Sequence, residues 1–227
     1  MEQNIYKGKD FKFSEDFKAL REALIADFFK ACPEYKDSIS SVTRVDQQYP
    51  QPSSWKIHMI KSAFDYGKSE KLSNESIALS NLQKEWYKNA PTLFPTAYEL
   101  ANKFGDACQL CIYAVLAPNS VIRRHTGKEN RDAQYVRVHI PLIIPEGDIG
   151  FEVLGEEVYW DDVFAFNNQK LHSAWNNTNE KRLILLVDLT REACGLPPVE
   201  PWTKEQEDKE SLLYPCTKGE YPTIEKV

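Results

Sequence analysis

The stretch YVRVHIPL, residues 135–142, carries the alternation that decides the fold. Successive side chains of a β-strand point to opposite faces, so the odd and even positions of this stretch form two separate rows. The even positions are all apolar, and they are Val136, Val138, Ile140 and Leu142. The odd positions carry Arg137 and His139, which therefore point the same way from the predicted strand.

Other short runs rich in Val, Ile, Tyr and Phe flank this strand between residues 108 and 191, and turn-forming residues separate them. The runs are CIYAVLAP at 111–118, IGFEVLG at 149–155, EEVYW at 156–160, VFAFNN at 163–168 and RLILLVDL at 182–189. Several short antiparallel strands after a helical layer predict an α+β fold. Its core would be a double-stranded β-helix, a cupin-like jelly roll, with N-terminal helices packed on one sheet.

The residues before this core are predicted to be mainly helical. Apolar residues recur at helical spacing between Ser14 and about Cys32, a second helix is expected from Asn74 or Ser76, and a third after Pro91. Residues 47–74 are predicted to form a long loop with short strands. The chain is therefore expected to be one domain, with a helical layer over 1–107, a jelly-roll catalytic core over 108–191 and a tail over 192–227.

Composition limits the classes of partner. The 227 residues suit one well-buried core, and a net charge of −6 gives no basic field that would attract nucleic acid. The sequence has no export signal and no apolar run long enough to span a bilayer, so a soluble, cytoplasmic protein without a membrane partner is expected. Composition leaves the oligomeric state open.

The five cysteines are an odd number and widely scattered, which argues against a disulfide framework. Cys108 and Cys111 match the C-x-x-C pattern of redox and zinc sites. No second such pair exists, however, and the motif runs directly into a predicted strand. Both are therefore expected to be structural thiols.

Two of the four histidines occupy comparable positions. His125 ends a predicted strand before a turn, and His172 follows another strand. Hairpins in a jelly roll bring strand ends together, so these imidazoles can meet at the barrel mouth and bind Fe(II) or a related metal. Arg182 begins a strand that is otherwise apolar, and a buried arginine needs an anionic partner, for which a bound dicarboxylate is one candidate.

These elements together resemble the aspartyl/asparaginyl β-hydroxylase family of Fe(II)/2-oxoglutarate-dependent dioxygenases. The matching elements are HTG at 125–127, RVH at 137–139, FNN at 166–168 before His172, and Arg182 beyond it. The resemblance covers roughly residues 114–188 and does not reach the first seventy. It implies that His125 and His172 are the catalytic iron ligands and that Arg182 pairs with the distal carboxylate of 2-oxoglutarate. It also implies that Arg137 and His139 hold carboxylates of cosubstrate or substrate.

The same resemblance implies the reaction. With Fe(II), 2-oxoglutarate and O₂, the enzyme would hydroxylate an unactivated carbon and release succinate and CO₂. The substrate is expected to be an amino acid, an amino-acid derivative or an Asp/Asn-type residue, as a small molecule or a peptide, with Arg137 and Trp175 as candidate contacts. One position departs from the family. Some members carry a cosubstrate-binding serine eleven residues before the first histidine, where this chain has Ala114, so Tyr113 or water is expected to replace it.

Several alternatives stay open. Gly127 agrees with family members in which water replaces a metal-binding carboxylate, yet Glu129 or Asp132 is also a candidate third ligand. An open coordination position is equally compatible with an iron halogenase. A non-catalytic jelly roll that binds a metal or ligand is the alternative from another class. His139 is alternatively a core imidazole, and Trp160 and Trp175 are core or pocket-wall aromatics.

Overall fold

A computed structural model describes residues 3–33, 42–43, 55–62, 88–127, 134–201 and 203–213. Its strands are β1 (Ile5–Lys7), β2 (Val42–Thr43), β3 (Trp55–Ser62), β4 (Cys108–Leu116), β5 (Ser120–His125), β6 (Tyr135–Ile143), β7 (Ile149–Val153), β8 (Glu156–Val158), β9 (Phe164–Phe166), β10 (His172–Asn176) and β11 (Arg182–Thr190). Its helices are α1 (Ser14–Ala19), α2 (Arg21–Ala31), α3 (Pro95–Lys103) and α4 (Lys204–Leu213), and residues 88–93 are also helical. Short 3-10 turns lie at Gly8–Asp10 and Gly105–Ala107.

The strands form two antiparallel sheets. The larger has the order β1-β9-β6-β11-β4-β3-β2, and the smaller has the order β5-β10-β7-β8. A cluster of buried apolar side chains from both sheets, including Ala114, Ile184, Phe151 and Ala174, fills the space between them, which we call the barrel interior. Two facing antiparallel sheets with helices added give the α+β jelly-roll fold predicted from the sequence.

Helices α1, α2 and α3 cover the outer face of the larger sheet. Phe17, Leu24 and Phe28 of α1 and α2 share one apolar cluster with the even row of β6, which is Val136, Val138, Ile140 and Leu142. The alternation of residues 135–142 is thus confirmed, because the even row faces the helices while His139 of the odd row contacts interior aromatics. Within the described residues, no helix is long and apolar enough to cross a lipid bilayer.

The prediction of a mainly helical layer over residues 1–107 is wrong in one respect, because β1, β2 and β3 all belong to the larger sheet. Trp55, Ile57 and Met59 of β3 lie in the interior cluster, whereas Ile60 packs with the helices. β3 is one of the short strands predicted within residues 47–74, but its pairing with β4 joins residues far apart in the sequence and could not be predicted from the local pattern.

The helix predicted between residues 14 and 32 is confirmed, with a break at Leu20 between α1 and α2. The start of the helix expected from Asn74 or Ser76 lies outside the described residues. Cys108 and Cys111 are free and buried, and burial raises the pKa of Cys108 to about 12, as expected for structural thiols.

Tyr113 of β4 joins the larger sheet to α2. Its side chain is fully buried in the cluster beneath the helices, and its hydroxyl donates a hydrogen bond to the carbonyl oxygen of Leu24, 2.9 Å away. Burial raises the pKa of this phenol, so the hydroxyl keeps its proton and acts as a donor. Tyr113 therefore points away from the barrel interior.

Replacing Tyr113 with Phe should lower the free energy of unfolding by about 1 kcal/mol, because the variant loses one buried hydrogen bond and keeps the ring. Urea unfolding followed by far-UV circular dichroism measures the change. Tyr159→Phe is the matched control, since Tyr159 is 63% exposed and should tolerate the same change without effect. Equal stability of the Tyr113 variant and the wild type would contradict this role.

Candidate metal and cosubstrate site

His125 and His172 lie directly opposite each other in the paired strands β5 and β10. Their ring centroids are 4.2 Å apart. The register shifts between this pair and the next, in which Ala174 faces Ile122. From one pair to the next, β5 advances three residues whereas β10 advances two, so β5 contains a β-bulge. Such a bulge re-aims side chains, and here it keeps both Ile122 and His125 on the interior side. The structure thus brings together the two histidines that the sequence singled out.

Both imidazoles are oriented by the same local contact. Nδ1 of His125 lies 2.7 Å from the carbonyl oxygen of Arg123, and Nδ1 of His172 lies 2.7 Å from the carbonyl oxygen of Lys170. A carbonyl only accepts hydrogen bonds, so each Nδ1 carries the hydrogen and each neutral ring carries its lone pair on Nε2. Metal-binding histidines are commonly fixed in this way through their other ring nitrogen.

The charge state of His172 also suits a metal. Its side chain is buried, and burial, followed by the positive charge that His125 can carry, holds the pKa of His172 well below its usual value. The neutral imidazole, which is the form that binds metals, therefore predominates at neutral pH.

Asn168 packs so closely against Gly127 that no side chain fits at position 127. The Gly127 N–H donates a hydrogen bond of 2.6 Å to the Asn168 carbonyl oxygen. A Cβ at position 127 would collide with Nδ2 of Asn168 and lie 2.7 Å from its Cγ. Because the Asn168 side chain fills the space that a side chain would need, position 127 has no room for a carboxylate. The packing against Asn168 therefore requires a glycine at position 127.

The donor set within the described residues is limited to the histidine pair. No group of three or more His, Cys, Asp or Glu side chains that could hold a metal occurs in this part of the chain. Glu129 and Asp132, the candidate third ligands, lie outside the described residues. Two Nδ1-anchored imidazoles fit a borderline divalent metal such as Fe(II), with the remaining positions open to small ligands.

A wall of aromatic rings leads from His172 into the barrel. The His172 centroid lies 5.0 Å from that of Phe166 and 5.8 Å from that of Phe151. The same two rings lie 5.3 Å and 5.0 Å from His139. His139 is therefore one layer of rings away from the metal-binding candidates, on the interior face that its alternation predicted.

Trp160 and Arg182 form the next layer. The Trp160 ring stacks on His139 with centroids 5.2 Å apart and planes at 10°, and the guanidinium carbon of Arg182 lies 4.6 Å from the Trp160 ring. Arg182 is only 1% exposed. Besides its contact with Trp160, the guanidinium has two buried nitrogens, Nε and Nη1, that make no hydrogen bond within the described structure. A buried cation in such a place suits an anionic ligand.

His139 is a neutral ring at this depth. Burial, followed by the positive charges of Arg182 and Arg137, lowers the pKa of His139 well below its usual value. Its Nδ1 is buried and makes no hydrogen bond in the described structure. The aromatic packing of His139 is what a core imidazole would show, whereas the unsatisfied Nδ1 is what a ligand-binding imidazole would show.

Arg137 meets a partner that the sequence analysis missed. Its Nε and Nη2 donate hydrogen bonds of 2.8 and 2.7 Å to the two carboxylate oxygens of Asp188 on β11. Asp188 is 1% exposed and is the one acid in the strand RLILLVDLT, a signal that the sequence did contain. This side of the Arg137 fork is occupied by the protein, so a ligand carboxylate cannot use the same two nitrogens.

Trp175 faces away from the site. Ala174 of β10 packs in the barrel interior, so its neighbour Trp175 points to the opposite face of the smaller sheet. There its indole Nε1 donates a hydrogen bond of 2.8 Å to Asp148, and its ring leaves no room for a Cβ at Gly150. The prediction that Trp175 contacts substrate at this site is therefore wrong, because β-strand alternation places it outside the barrel.

We compared the chain with protein families, with curated proteins and with solved structures. The family model described as aspartyl/asparaginyl beta-hydroxylase matches residues 21–192. An ornithine lipid ester-linked acyl 2-hydroxylase of Rhizobium tropici is 26% identical over 84 residues, which cover 35% of this chain. The match spans only 29% of the length of that relative.

Two solved structures show similarity over a larger share of the chain. A prolyl-4-hydroxylase of Pseudomonas putida is 14% identical with a TM-score of 0.41, and the match covers 77% of this chain and 86% of that one. A prolyl hydroxylase of Trichoplax adhaerens, in complex with a hypoxia inducible factor peptide fragment, is 15% identical with a TM-score of 0.39. That match covers 77% of this chain and 79% of the other.

Gly127→Ala should lower the free energy of unfolding by about 1–3 kcal/mol, because the new methyl group overpacks against Asn168. Adding Asn168→Gly to the same chain should recover part of this loss by removing the colliding side chain. Chemical denaturation of Gly127→Ala, Asn168→Gly and the double variant measures this coupling. Simple additivity of the two single changes would contradict the steric account.

The metal-free protein should lose stability as the pH falls below about 6.5, in part because of His139. The folded-state pKa of His139 is lowered, so the unfolded chain binds a proton that the folded chain refuses. The free energy of unfolding falls by at most about 1.4 kcal/mol per pH unit because of this histidine, and the effect disappears above about pH 6.5. Urea unfolding at pH 7.5 and 5.5 should show a smaller pH effect in His139→Gln than in the wild type. Equal pH effects in both proteins would show that His139 is not held neutral.

Proposed function

The chain belongs to the aspartyl/asparaginyl β-hydroxylase family, and on that premise we propose that it is an Fe(II)- and 2-oxoglutarate-dependent dioxygenase. It hydroxylates an unactivated carbon of an amino acid, an amino-acid derivative or an Asp/Asn-type residue and releases succinate and CO₂. The observation that carries this proposal is the paired orientation of His125 and His172, each with Nδ1 on a backbone carbonyl, which makes Nε2 the ring nitrogen that carries the lone pair.

The iron, together with 2-oxoglutarate and O₂, supplies the oxidising chemistry when bound, and the protein supplies position and surroundings. His125 and His172 hold the metal through Nε2. Their Nδ1 contacts to the carbonyls of Arg123 and Lys170 fix the ring orientation, so metal binding costs little side-chain reorganisation. Burial lowers the pKa of His172 and so favours the neutral ring that binds a metal.

Arg182 binds the distal carboxylate of 2-oxoglutarate at the inner end of the site. The guanidinium is already desolvated, so its attraction to a carboxylate is weakly screened. His139 lies between this end and the metal, where a neutral imidazole donates or accepts one hydrogen bond to the cosubstrate. Phe151 and Phe166 exclude water from the space between, which protects a reactive centre from side reactions.

Arg137 acts beside the metal with one edge of its guanidinium already bound by the protein. Asp188 holds its Nε and Nη2, which fixes the guanidinium on the interior face of β6. Asp188 takes the Nε hydrogen and one of the two Nη2 hydrogens, so a ligand carboxylate approaches Arg137 from the end formed by Nη1 and the second Nη2 hydrogen. We assign Asp188 as the residue that positions Arg137.

The substrate class follows from the family and from one relative. Members act on amino acids and on Asp/Asn residues, and a small amino-acid substrate agrees with the expectation from the sequence. The Rhizobium tropici relative is named for hydroxylation of an ester-linked acyl chain of ornithine lipid, so acylated amino acids belong among the compounds to test. A halogenase would be recognised by chlorinated product in the presence of chloride, and a non-catalytic binding protein by the absence of succinate.

Anaerobic protein with Fe(II) and 2-oxoglutarate should develop the weak visible charge-transfer band of a chelated 2-oxo acid and should form succinate once O₂ is admitted. His172→Ala should lose the band, because one of two protein ligands is gone. Arg123→Gln is the matched control: Arg123 is exposed and contributes only its backbone carbonyl to His125, so the band should remain. Folded wild-type protein with neither band nor succinate would contradict the dioxygenase assignment and favour the binding protein.

A further inference from the structure

The indole N–H of Trp160 is a buried donor that finds no acceptor among the described residues. Trp160 is 5% exposed, and its Nε1 is shielded from solvent and makes no hydrogen bond within the part of the chain that the structure describes. A buried indole N–H normally finds an acceptor, and leaving one unsatisfied costs free energy. Trp175 shows the usual outcome in this same chain, because its Nε1 donates to Asp148. The unsatisfied Nε1 of Trp160 therefore calls for an explanation.

The position of Trp160 indicates what the missing acceptor is. Its ring contacts the Arg182 guanidinium at 4.6 Å and stacks on His139 at 5.2 Å. An acceptor that reaches Nε1 in this place also lies in the field of a buried cation, so an anion is favoured there over a neutral group. A carboxylate has two oxygens with about four acceptor sites, enough to take hydrogen bonds from an arginine and an indole together.

Of the two replacements that the sequence raised for the missing serine, Tyr113 and water, Tyr113 cannot serve. Ala114 is fully buried and packs in the barrel interior, opposite Ile184 and two positions from the Leu116–Arg182 pair, but its methyl group donates nothing. Tyr113 points to the helices, and its hydroxyl donates a hydrogen bond to the carbonyl oxygen of Leu24. The expectation that Tyr113 replaces the missing serine is therefore wrong, because adjacent residues of β4 face opposite sides of the sheet.

We propose that Trp160 donates its Nε1 hydrogen to the distal carboxylate of 2-oxoglutarate, beside Arg182, and so takes over the role of the hydroxyl that is absent at Ala114. This inference rests on the proposed function. The bond is charge-assisted and shielded from water, which makes it stronger than a bond between neutral groups. Trp160 is thereby a residue that selects 2-oxo acids with a second carboxylate over those without one.

The test compares two ligands in two proteins. Anaerobic Fe(II)-loaded wild type and Trp160→Phe are titrated with 2-oxoglutarate and with 2-oxopentanoate, which has the same carbon chain but no distal carboxylate, by following the charge-transfer band. Trp160→Phe keeps an aromatic ring beside Arg182 and His139 and removes the indole donor together with part of the ring volume. We expect about ten-fold weaker binding of 2-oxoglutarate and a change of less than about two-fold for 2-oxopentanoate.

A second variant separates the lost donor from altered packing. In Trp160→Phe, the additional change Ala114→Ser places a hydroxyl on the same interior face and should restore part of the affinity for 2-oxoglutarate but not for 2-oxopentanoate. Equal weakening of both ligands in Trp160→Phe, or unchanged affinity for 2-oxoglutarate, would overturn the inference. If the wild type and Trp160→Phe bind 2-oxoglutarate equally well, only the role of Trp160 is rejected. Wild-type protein that does not bind 2-oxoglutarate rejects the proposed function as well.

A measurement on the unaltered side chain covers the case in which Trp160→Phe does not fold. In ¹⁵N-labelled wild type loaded with Zn(II), the Trp160 indole N–H signal, assigned through its own side chain, should move downfield on addition of 2-oxoglutarate. Addition of 2-oxopentanoate should leave it in place. The Trp175 indole, already bonded to Asp148 outside the barrel, is the internal control and should not respond to either ligand. An unmoved Trp160 signal at saturating 2-oxoglutarate would overturn the inference.

Discussion

The pairing of β5 with β10 is the constraint on which the site depends. It sets His125 opposite His172, and the bulge in β5 keeps both rings on the interior side. Because a slip of one residue would turn every side chain of a strand to the other face, this register decides whether a metal site exists at all. The carbonyl contacts at Nδ1 then choose which nitrogen faces the metal.

The inner half of the barrel shows how a charged group is accommodated in an apolar core. Arg182 is buried against Trp160, and His139 stacks on the same indole. Nε1 of Trp160 and Nδ1 of His139 are buried and make no hydrogen bond within the described residues, which agrees with the proposal that an anion binds in this layer. The protein keeps His139 and His172 neutral, and it neutralises Arg137 internally with Asp188. Arg182 is the buried cation that the proposed function directs at the cosubstrate carboxylate.

The sequence predicted the parts of this architecture that depend on local pattern. Alternation in residues 135–142 placed Val138 and His139 on their correct faces, and strand-end positions paired His125 with His172. It failed where the answer depends on tertiary contacts. The pairing of β3 with β4 joins segments far apart in the sequence, and the partnership of Arg137 with Asp188 joins residues 51 apart. Gly127 was read as a missing ligand, whereas only the packed structure reveals that Asn168 fills its place.

A crystal structure with Mn(II) and 2-oxoglutarate tests the central claim most directly, because Mn(II) occupies Fe(II) sites without turnover in air. The account predicts the metal on Nε2 of both His125 and His172, with each Nδ1 still on its backbone carbonyl and no ligand from position 127. It also predicts the distal carboxylate of 2-oxoglutarate at Arg182. Metal bound elsewhere, or through Nδ1 of either ring, would contradict the account.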